Sequence, residues 1–380
     1  MNRNWIACTG FLLLMLTFSC TPPTIKGTDT ESRVAQIVAD TSLEQIMMDN
    51  HVPGVSIAVI SNGEIEWACG FGVTEAGGDQ PITPETLYQA ASISKTISAV
   101  GALTLVQEGR IALDTNVNEY LTSWHVPEND FTAQQLVTLE RLLSHTAGIT
   151  VNGFPGYEAG VPMPSLIQVL NGTAPANTTP VIVDRLPGSE WVYSGGGYEI
   201  IEQLVEDVSG EDFPDFMQAR LIDPLELTHS TFAQPLPKAL APQAATAHNA
   251  NGGPLPGRWH IYPEHAAAGM WSTPTDLARF FLEIGAALKG NGVVFDQPSA
   301  QLMVTPLLND YGLGLIIGHT NDGSLWFAHN GVNAGFVSYA VLIPAKGQGA
   351  VIMTNSDSGS QVITPLLAAI SHQYDWGAFT

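Results

Sequence analysis

Gln89-Ala90-Ala91-Ser92-Ile93-Ser94-Lys95-Thr96-Ile97-Ser98 sets a serine and a lysine three residues apart, at the head of an apolar run that reaches Leu105. If a helix opens at Ser92, this spacing puts Lys95 on the same face, within side-chain reach of the hydroxyl. A serine hydroxyl is a weak nucleophile until a neighbour takes its proton. A lysine can take it where burial, nearby positive charge and the positive end of a helix dipole disfavour an ammonium. The competing reading is a capping serine followed by a surface lysine. Ile97, Val100, Leu103 and Leu105 argue instead for a buried helix, and lysine is scarce. The chain has five, and only Lys95 has a serine three positions earlier. Chance still supplies roughly a third of one such pair, so the spacing alone decides nothing.

Composition narrows the surroundings of this stretch. The 380 residues are 45% hydrophobic, as in a folded globular chain. Their formal charge of −23, from 36 acidic and 13 basic residues, excludes the basic footprint that nucleic acid or an anionic membrane surface needs. At the N-terminus, Arg3 precedes Phe11-Leu12-Leu13-Leu14-Met15-Leu16, an apolar run of secretory-signal length and too short to span a bilayer. Leu16-Thr17-Phe18-Ser19-Cys20 resembles a bacterial lipoprotein cleavage site. This makes residues 1–19 a signal peptide and Cys20 a lipidated first residue, the only membrane attachment expected. Plain signal cleavage nearby is the alternative, and either way the protein is exported to the cell envelope or beyond. Cys8 would leave with the signal, so Cys69 is expected unpaired, as a small buried hydrophobe.

The elements follow in order. Residues 20–31, with Pro22-Pro23 and Gly27, read as a flexible tether. Ser32 to Met48 has helical apolar spacing, stopped by Pro53-Gly54. Val55 to Ile60 and Glu64 to Gly70 read as strands joined through the Asn62-Gly63 hairpin turn. After the Ser92 helix, helical patterns (Thr138–Leu143, Tyr198–Val208, Phe213–Leu221, Thr275–Leu288) alternate with irregular stretches. The longest of these, Thr150 to Pro187, is expected to wall part of a cleft. Strands return at Leu325–Ala328, Val337–Ile343 and Ala350–Thr354, before a closing helix over Val362–His372. The expectation is an α/β fold of the α+β type in one domain, residues 32–380. An antiparallel sheet from both termini (32–90 and 295–380) would be flanked by helices, with a helical region inserted at 91–294. The cleft would lie between the two layers, where Ser92 opens its helix.

Two further segments complete a candidate site. Pro187-Gly188-Ser189-Glu190-Trp191-Val192-Tyr193-Ser194-Gly195-Gly196-Gly197-Tyr198 reads as a glycine-rich turn feeding a helix, with Tyr193 a proton carrier if an ammonium lies close. His329-Asn330-Gly331 lies at a strand edge, with Asn333-Ala334-Gly335-Phe336 behind it. Taken singly, Tyr193 also reads as a packed aromatic and His329 as an edge-strand polar residue. Together, and with Pro53-Gly54-Val55, Leu142 to Gly148, Tyr311-Gly312-Leu313-Gly314 and Thr354-Asn355, they resemble the serine β-lactamase and penicillin-binding-protein superfamily. The nearest branch is that of class C β-lactamases, D-alanyl-D-alanine carboxypeptidases and related esterases, and the resemblance covers nearly the whole chain after Ser32.

The resemblance implies a β-lactamase/transpeptidase-like fold, with Ser92 as the acylated nucleophile and Lys95 as its base. Tyr193 matches a proton-relaying tyrosine, and His329 the position of a lysine that esterase-like members often replace. The backbone N–H groups of Ser92 and Val332 match an oxyanion hole, and Gly195, Asn330 and Gly331 match substrate-binding positions. Ser-x-x-Lys is an established signature of this superfamily, so the link from motif to family is not new. Two departures stand out. Gly195 replaces an asparagine that would donate to a substrate amide and hold the lysine, and His329 is a weaker carboxylate anchor than lysine. Both favour an ester or small amide over a β-lactam. His145, in Ser144-His145-Thr146, is placed in a supporting loop, and Ser356-Asp357-Ser358 is read as a turn.

Other chemistries find no support. There is no Gly-x-Ser-x-Gly elbow, no His-Glu-x-x-His and no phosphate loop, and no metal or cofactor is implied. Two readings remain: a serine hydrolase of small ester, amide or peptidoglycan-type substrates, with β-lactam hydrolysis open to it as a main or side reaction, or a sensor acylated without efficient turnover.

Overall fold

The computed structural model describes residues 19–20 and 28–377. β1 is Ser19–Cys20; α1 (Thr28–Thr41) and α2 (Leu43–Asp49) follow, with a left-handed turn at Ser42 (φ 47°) between them. The helix expected over 32–48 is therefore two helices, and the first opens inside the stretch read as tether. Thr30 Oγ1 and Arg33 Nη1 hold it there, donating to Glu66 Oε1 at 2.9 and 3.3 Å. β2 (Gly54–Ser61) and β3 (Glu64–Gly72) form the expected hairpin. Asn62 and Gly63 both take positive φ (55° and 76°), the conformation a two-residue Asn-Gly turn requires.

β4 (Tyr88–Gln89) leads into α3 (Ile93–Gln107), α4 (Leu139–Leu143), α5 (Leu166–Asn171), α6 (Gly195–Ser209), α7 (Phe213–Met217) and α8 (His265–Ala268). β5 (Trp271–Ser272) pairs with β4, and α9 (Pro274–Ala287) and α10 (Gln297–Met303) lead back to the sheet. There β6 (Ile316–His319), β7 (Leu325–Asn333), β8 (Phe336–Ile343) and β9 (Gln348–Thr354) precede the closing helix α11 (Ser360–Gln373). The antiparallel sheet has seven strands in the order β1-β3-β2-β9-β8-β7-β6, so strands from both ends of the chain meet at the β2/β9 pair.

Period-two alternation assigns the two faces of the sheet. Val55, Ile57 and Val59 point with Ile352 and Val341 into a core closed by Ile37, Leu43, Leu366 and Ile370 of α1, α2 and α11. Ala58, Ile60 and Leu342 point the other way, against Leu277, Phe281 and Ile284 of α9. α9 thus covers the sheet rather than belonging to the inserted helices, a correction to the 91–294 boundary. A Cβ on its Gly285 would come within 2.8 Å of Leu342, a measure of how tightly it is seated.

Most of the expected export signal lies outside the described residues, and Cys20 is described in its backbone alone. β1 pairs it with Cys69 across the strands. Cys69 is disulfide-bonded, which corrects the expectation of a free thiol. Among the described residues no helix is long and apolar enough to cross a membrane.

Candidate active site

Ser92 sits at the N-cap of α3, and its side chain makes no capping bond. The capping reading therefore falls away, and the hydroxyl is left for Lys95, whose Nζ donates to Ser92 Oγ at 3.1 Å. Lys95 is 2% exposed. Its Nζ makes a second bond, to Ala267 O at 2.8 Å, and lies over the rings of Tyr193 and Tyr198, 5.0 and 5.7 Å from their centroids. Ala91, just before Ser92, is left-handed (φ 51°), a conformation costly for a residue with a Cβ. Its neighbours impose it. Ala90 N donates to Met270 O at 2.8 Å, and Ala90 O accepts from Ser338 Oγ at 3.0 Å.

These groups open on a cleft of about 340 Å³ lined by Ser92, Lys95, Tyr193, Asn152, Gly153, Phe154, Ala268, Asn330, Val332 and Asn333. The ring of Tyr193 is brought beside Lys95, but among the described residues its hydroxyl makes no hydrogen bond to Ser92 or Lys95. Such contacts often tighten only on substrate binding. β6 covers β7 only as far as Ala328, so the edge from residue 329 onward is left without a strand on that side. Val332, 62% exposed, presents that edge to the same cleft as Ser92, as an oxyanion site on these two backbones requires. Gly331 is needed for the approach, because a Cβ there would meet Ala90 O at 2.2 Å.

His329 and Gly195 do not line the cleft. His329 shares the buried face of β7 with Phe327 and Gly331, while Asn330 and Val332 alternate outward. Its Nε2 is 3.1 Å from Tyr311 Oη and its Nδ1 2.6 Å from Asn330 O. Burial first, and then the Lys95 charge, push it down to about 3, so it is neutral. It therefore offers a substrate carboxylate no positive charge, in keeping with a weaker anchor than lysine. Gly195 begins α6, three residues before the predicted start, because Ser194 Oγ caps the helix by accepting from Gly197 N at 2.9 Å.

His145 supports Tyr193 rather than the substrate. Its Nδ1 accepts from Ser194 N at 3.1 Å, and its ring centroid lies 4.3 Å from that of Tyr193. Burial, followed by the Lys95 charge, holds it well below the ordinary histidine range. The stretch expected to form a cleft wall does so through Asn152, Gly153 and Phe154. Asn333, which in the sequence merely follows the triplet, also lines the cleft. Its amide is bonded to Gln89 Oε1 at 2.9 Å and Ala268 O at 3.1 Å.

Behind Lys95 lies an acidic cluster that the sequence did not announce. Glu199 Oε1 accepts from Ala267 N at 3.2 Å. Glu202 accepts from Ala266 N at 2.7 Å and pairs with His265 at 2.7 Å. Two carboxylates of α6 thus hold α8, the helix whose Ala267 carbonyl fixes the lysine. Glu264 is fully buried with neither oxygen bonded among the described residues, and burial, then the Glu202 charge, push it up to about 8. The folded form thus keeps a proton that the unfolded chain loses near the ordinary carboxylate value of 4.5. The stability this proton gives is complete below that value and is lost as pH rises through about 8. Stability should therefore fall between about pH 5 and pH 9 by on the order of a few kcal/mol, read as a falling thermal midpoint. Glu264→Gln should flatten that dependence; an unchanged slope would rule Glu264 out.

A family model described as Beta-lactamase matches residues 39–372. "Protein flp" of Staphylococcus aureus (strain MW2) is 26% identical over 336 residues, 84% of this chain; the chain spans 63% of that relative's length. Penicillin-binding protein 4 of Amycolatopsis lactamdurans is 28% identical over 341 residues, covering 85% of this chain and 86% of the relative. The crystal structure of a β-lactamase/D-alanine carboxypeptidase from Pseudomonas syringae superposes with a TM-score of 0.70 at 21% identity, over 90% of this chain and 99% of that one.

Proposed function

The chain belongs to the Beta-lactamase family, and on that premise we propose that it is an exported serine hydrolase that forms an acyl-enzyme on Ser92. The observation that carries this is the Lys95 Nζ–Ser92 Oγ contact of 3.1 Å inside a cleft. Lys95, once it has given up its own proton and stands as the neutral amine, takes the hydroxyl proton as Oγ attacks a substrate carbonyl, and the oxyanion is received by the backbone N–H groups of Ser92 and Val332. Collapse expels an alcohol or amine, which takes its proton through Tyr193 and Lys95. Water then attacks the acyl group along the reverse path and frees Ser92.

The substrate class is a small ester, amide or D-peptide. Among the residues lining the cleft, Lys95 is the sole cation. With His329 buried and neutral, a carboxylate beside the scissile bond finds no second positive charge, which favours neutral esters and amides over β-lactams. The acidic surface supports small-molecule rather than nucleic-acid partners, and the signal-like N-terminus supports the cell envelope.

A panel of a chromogenic ester, a D-Ala-D-Ala peptide and a chromogenic β-lactam, with mass spectrometry after each pulse, tests the reading. A transient mass increase on the Ser92 peptide with product release is expected from at least the ester. A stable adduct without product would make the protein an acylated sensor; no adduct and no hydrolysis with any of the three would end the proposal.

A further inference from the structure

α8 is a single turn, and a helix that short does not hold itself together in water. It closes two bonds of its own, Ala268 N to Glu264 O and Gly269 N to His265 O, both 3.0 Å. After His265 its side chains are three alanines, so it meets its neighbours mainly through the backbone. Ala266 O accepts from Ser98 Oγ at 3.0 Å, Ala267 O from Lys95 Nζ at 2.8 Å, and Ala268 O from Asn333 Nδ2 at 3.1 Å. Three successive carbonyls thus hold two side chains of α3, one of them the lysine, and the residue of β7 that follows Val332. The N–H end of the turn is held from α6. Ala266 N donates to Glu202 Oε2 at 2.7 Å, His265 Nδ1 to Glu202 Oε1 at 2.7 Å, and Ala267 N to Glu199 Oε1 at 3.2 Å.

Glu202 is 1% exposed. A carboxylate so deeply buried is a poor device for stability, because its desolvation offsets most of what its bonds return, and apolar side chains of similar volume serve stability as well. What apolar contacts do not supply is direction. Two short bonds from one carboxylate, to a backbone N–H and to a side chain of the same turn, leave α8 free neither to slide nor to rotate. The order along the turn is also the favourable one: the carboxylates face its N–H end and Lys95 its carbonyl end.

We propose that Glu202 is a positioning residue for acylation: through α8 it sets the Lys95 amine against Ser92 Oγ and steadies Asn333 at the strand edge that carries Val332. It acts from behind, since it is not among the residues lining the cleft. This rests on the acyl-enzyme reading of Ser92 and adds to it the device that keeps the base in place.

The test separates reach from charge. Glu202→Asp keeps the charge and withdraws the carboxylate by one methylene. Glu202→Gln loses the charge and keeps the reach, its amide oxygen accepting from Ala266 N and its nitrogen donating to the other tautomer of His265. Acylation is read as the pre-steady-state rate of para-nitrophenol release from saturating para-nitrophenyl acetate, and binding as the ester concentration that gives half that rate. Glu202→Asp should slow acylation by about 10- to 100-fold and change binding by less than about twofold, the effect of a small misplacement at the reacting atoms. Glu202→Gln, with the geometry kept, should stay within about threefold of the wild-type rate. The reverse pattern, or equal losses in both variants, would make the residue a charge acting on the lysine and overturns the proposal. A wild-type rate in Glu202→Asp, or an effect on binding alone, overturns it too. Should Glu202→Asp not fold by near-ultraviolet circular dichroism, Glu199→Asp and Glu199→Gln, which alter the bond to Ala267 N in the same two ways, are read by the same criteria. A wild type that releases no para-nitrophenol would remove the hydrolase reading itself, whereas a full rate in the aspartate variant of an active enzyme removes this inference alone.

Discussion

Ser92→Ala is expected to lower kcat/KM for a chromogenic ester by about 10⁴-fold or more, and to abolish acylation, while the thermal midpoint stays within a few degrees of wild type. The loss is large because nothing else in the cleft can accept the acyl group. Among the described residues no base is bonded to the Tyr193 hydroxyl, and Lys95 is buried with its Nζ bonded to Ser92 Oγ and Ala267 O. The fold should tolerate the change because the hydroxyl has no structural task. It caps no backbone N–H of α3, and its bond is to Lys95 alone among the described residues. Removing one such bond costs about 1 kcal/mol. Steady-state kinetics and a thermal scan on the same preparation check both halves. Turnover near the wild-type rate would remove Ser92 from the mechanism.

The parts of this site that were legible in the sequence are those fixed by local rules. Asn62-Gly63 specifies its hairpin because few other pairs adopt two positive φ values in succession. Ser92 and Lys95 meet because a helix brings positions three apart to one face. The less legible parts depend on what lies across the cleft. Gly195 to Gly197 look like a turn, since glycine is a poor helix former. They are helical because Ser194 caps Gly197 N, and residues 150–154 pack against Gly195 and Gly196 too closely for a larger side chain. The orientation of His329 was within reach of the sequence: alternation from Phe327 puts residue 329 on the buried face with 327 and 331. The family resemblance drew attention to the triplet as a unit instead. The Cys69 disulfide and the seating of α9 on the sheet are matters of strand register and helix docking. Neither leaves a local signature, because an amphipathic helix shows which face it buries and not what it buries that face against.

Lys95→Met is expected to reduce turnover by about 10³-fold, within the range a positioned base contributes. Methionine approximates the length of the lysine stem, so the effect isolates the amine. Two bonds go with it, to Ser92 Oγ and to Ala267 O. The first is the path of the proton; the second leaves a buried carbonyl without its donor, at a cost of about 1–3 kcal/mol. Stability should therefore fall further in this variant than in Ser92→Ala. The lost charge has its own reporter. Because the Lys95 ammonium adds to burial in holding His329 down at about 3, His329 should titrate higher in the variant, by histidine NMR. The decisive measurement is the double variant. If Lys95 acts only by moving the proton of Ser92, then Ser92→Ala combined with Lys95→Met should lose no more activity than Ser92→Ala alone, since the two residues serve one step. Losses that instead multiply would mean the lysine acts independently of the serine, and the 3.1 Å contact between them would not be the origin of the chemistry.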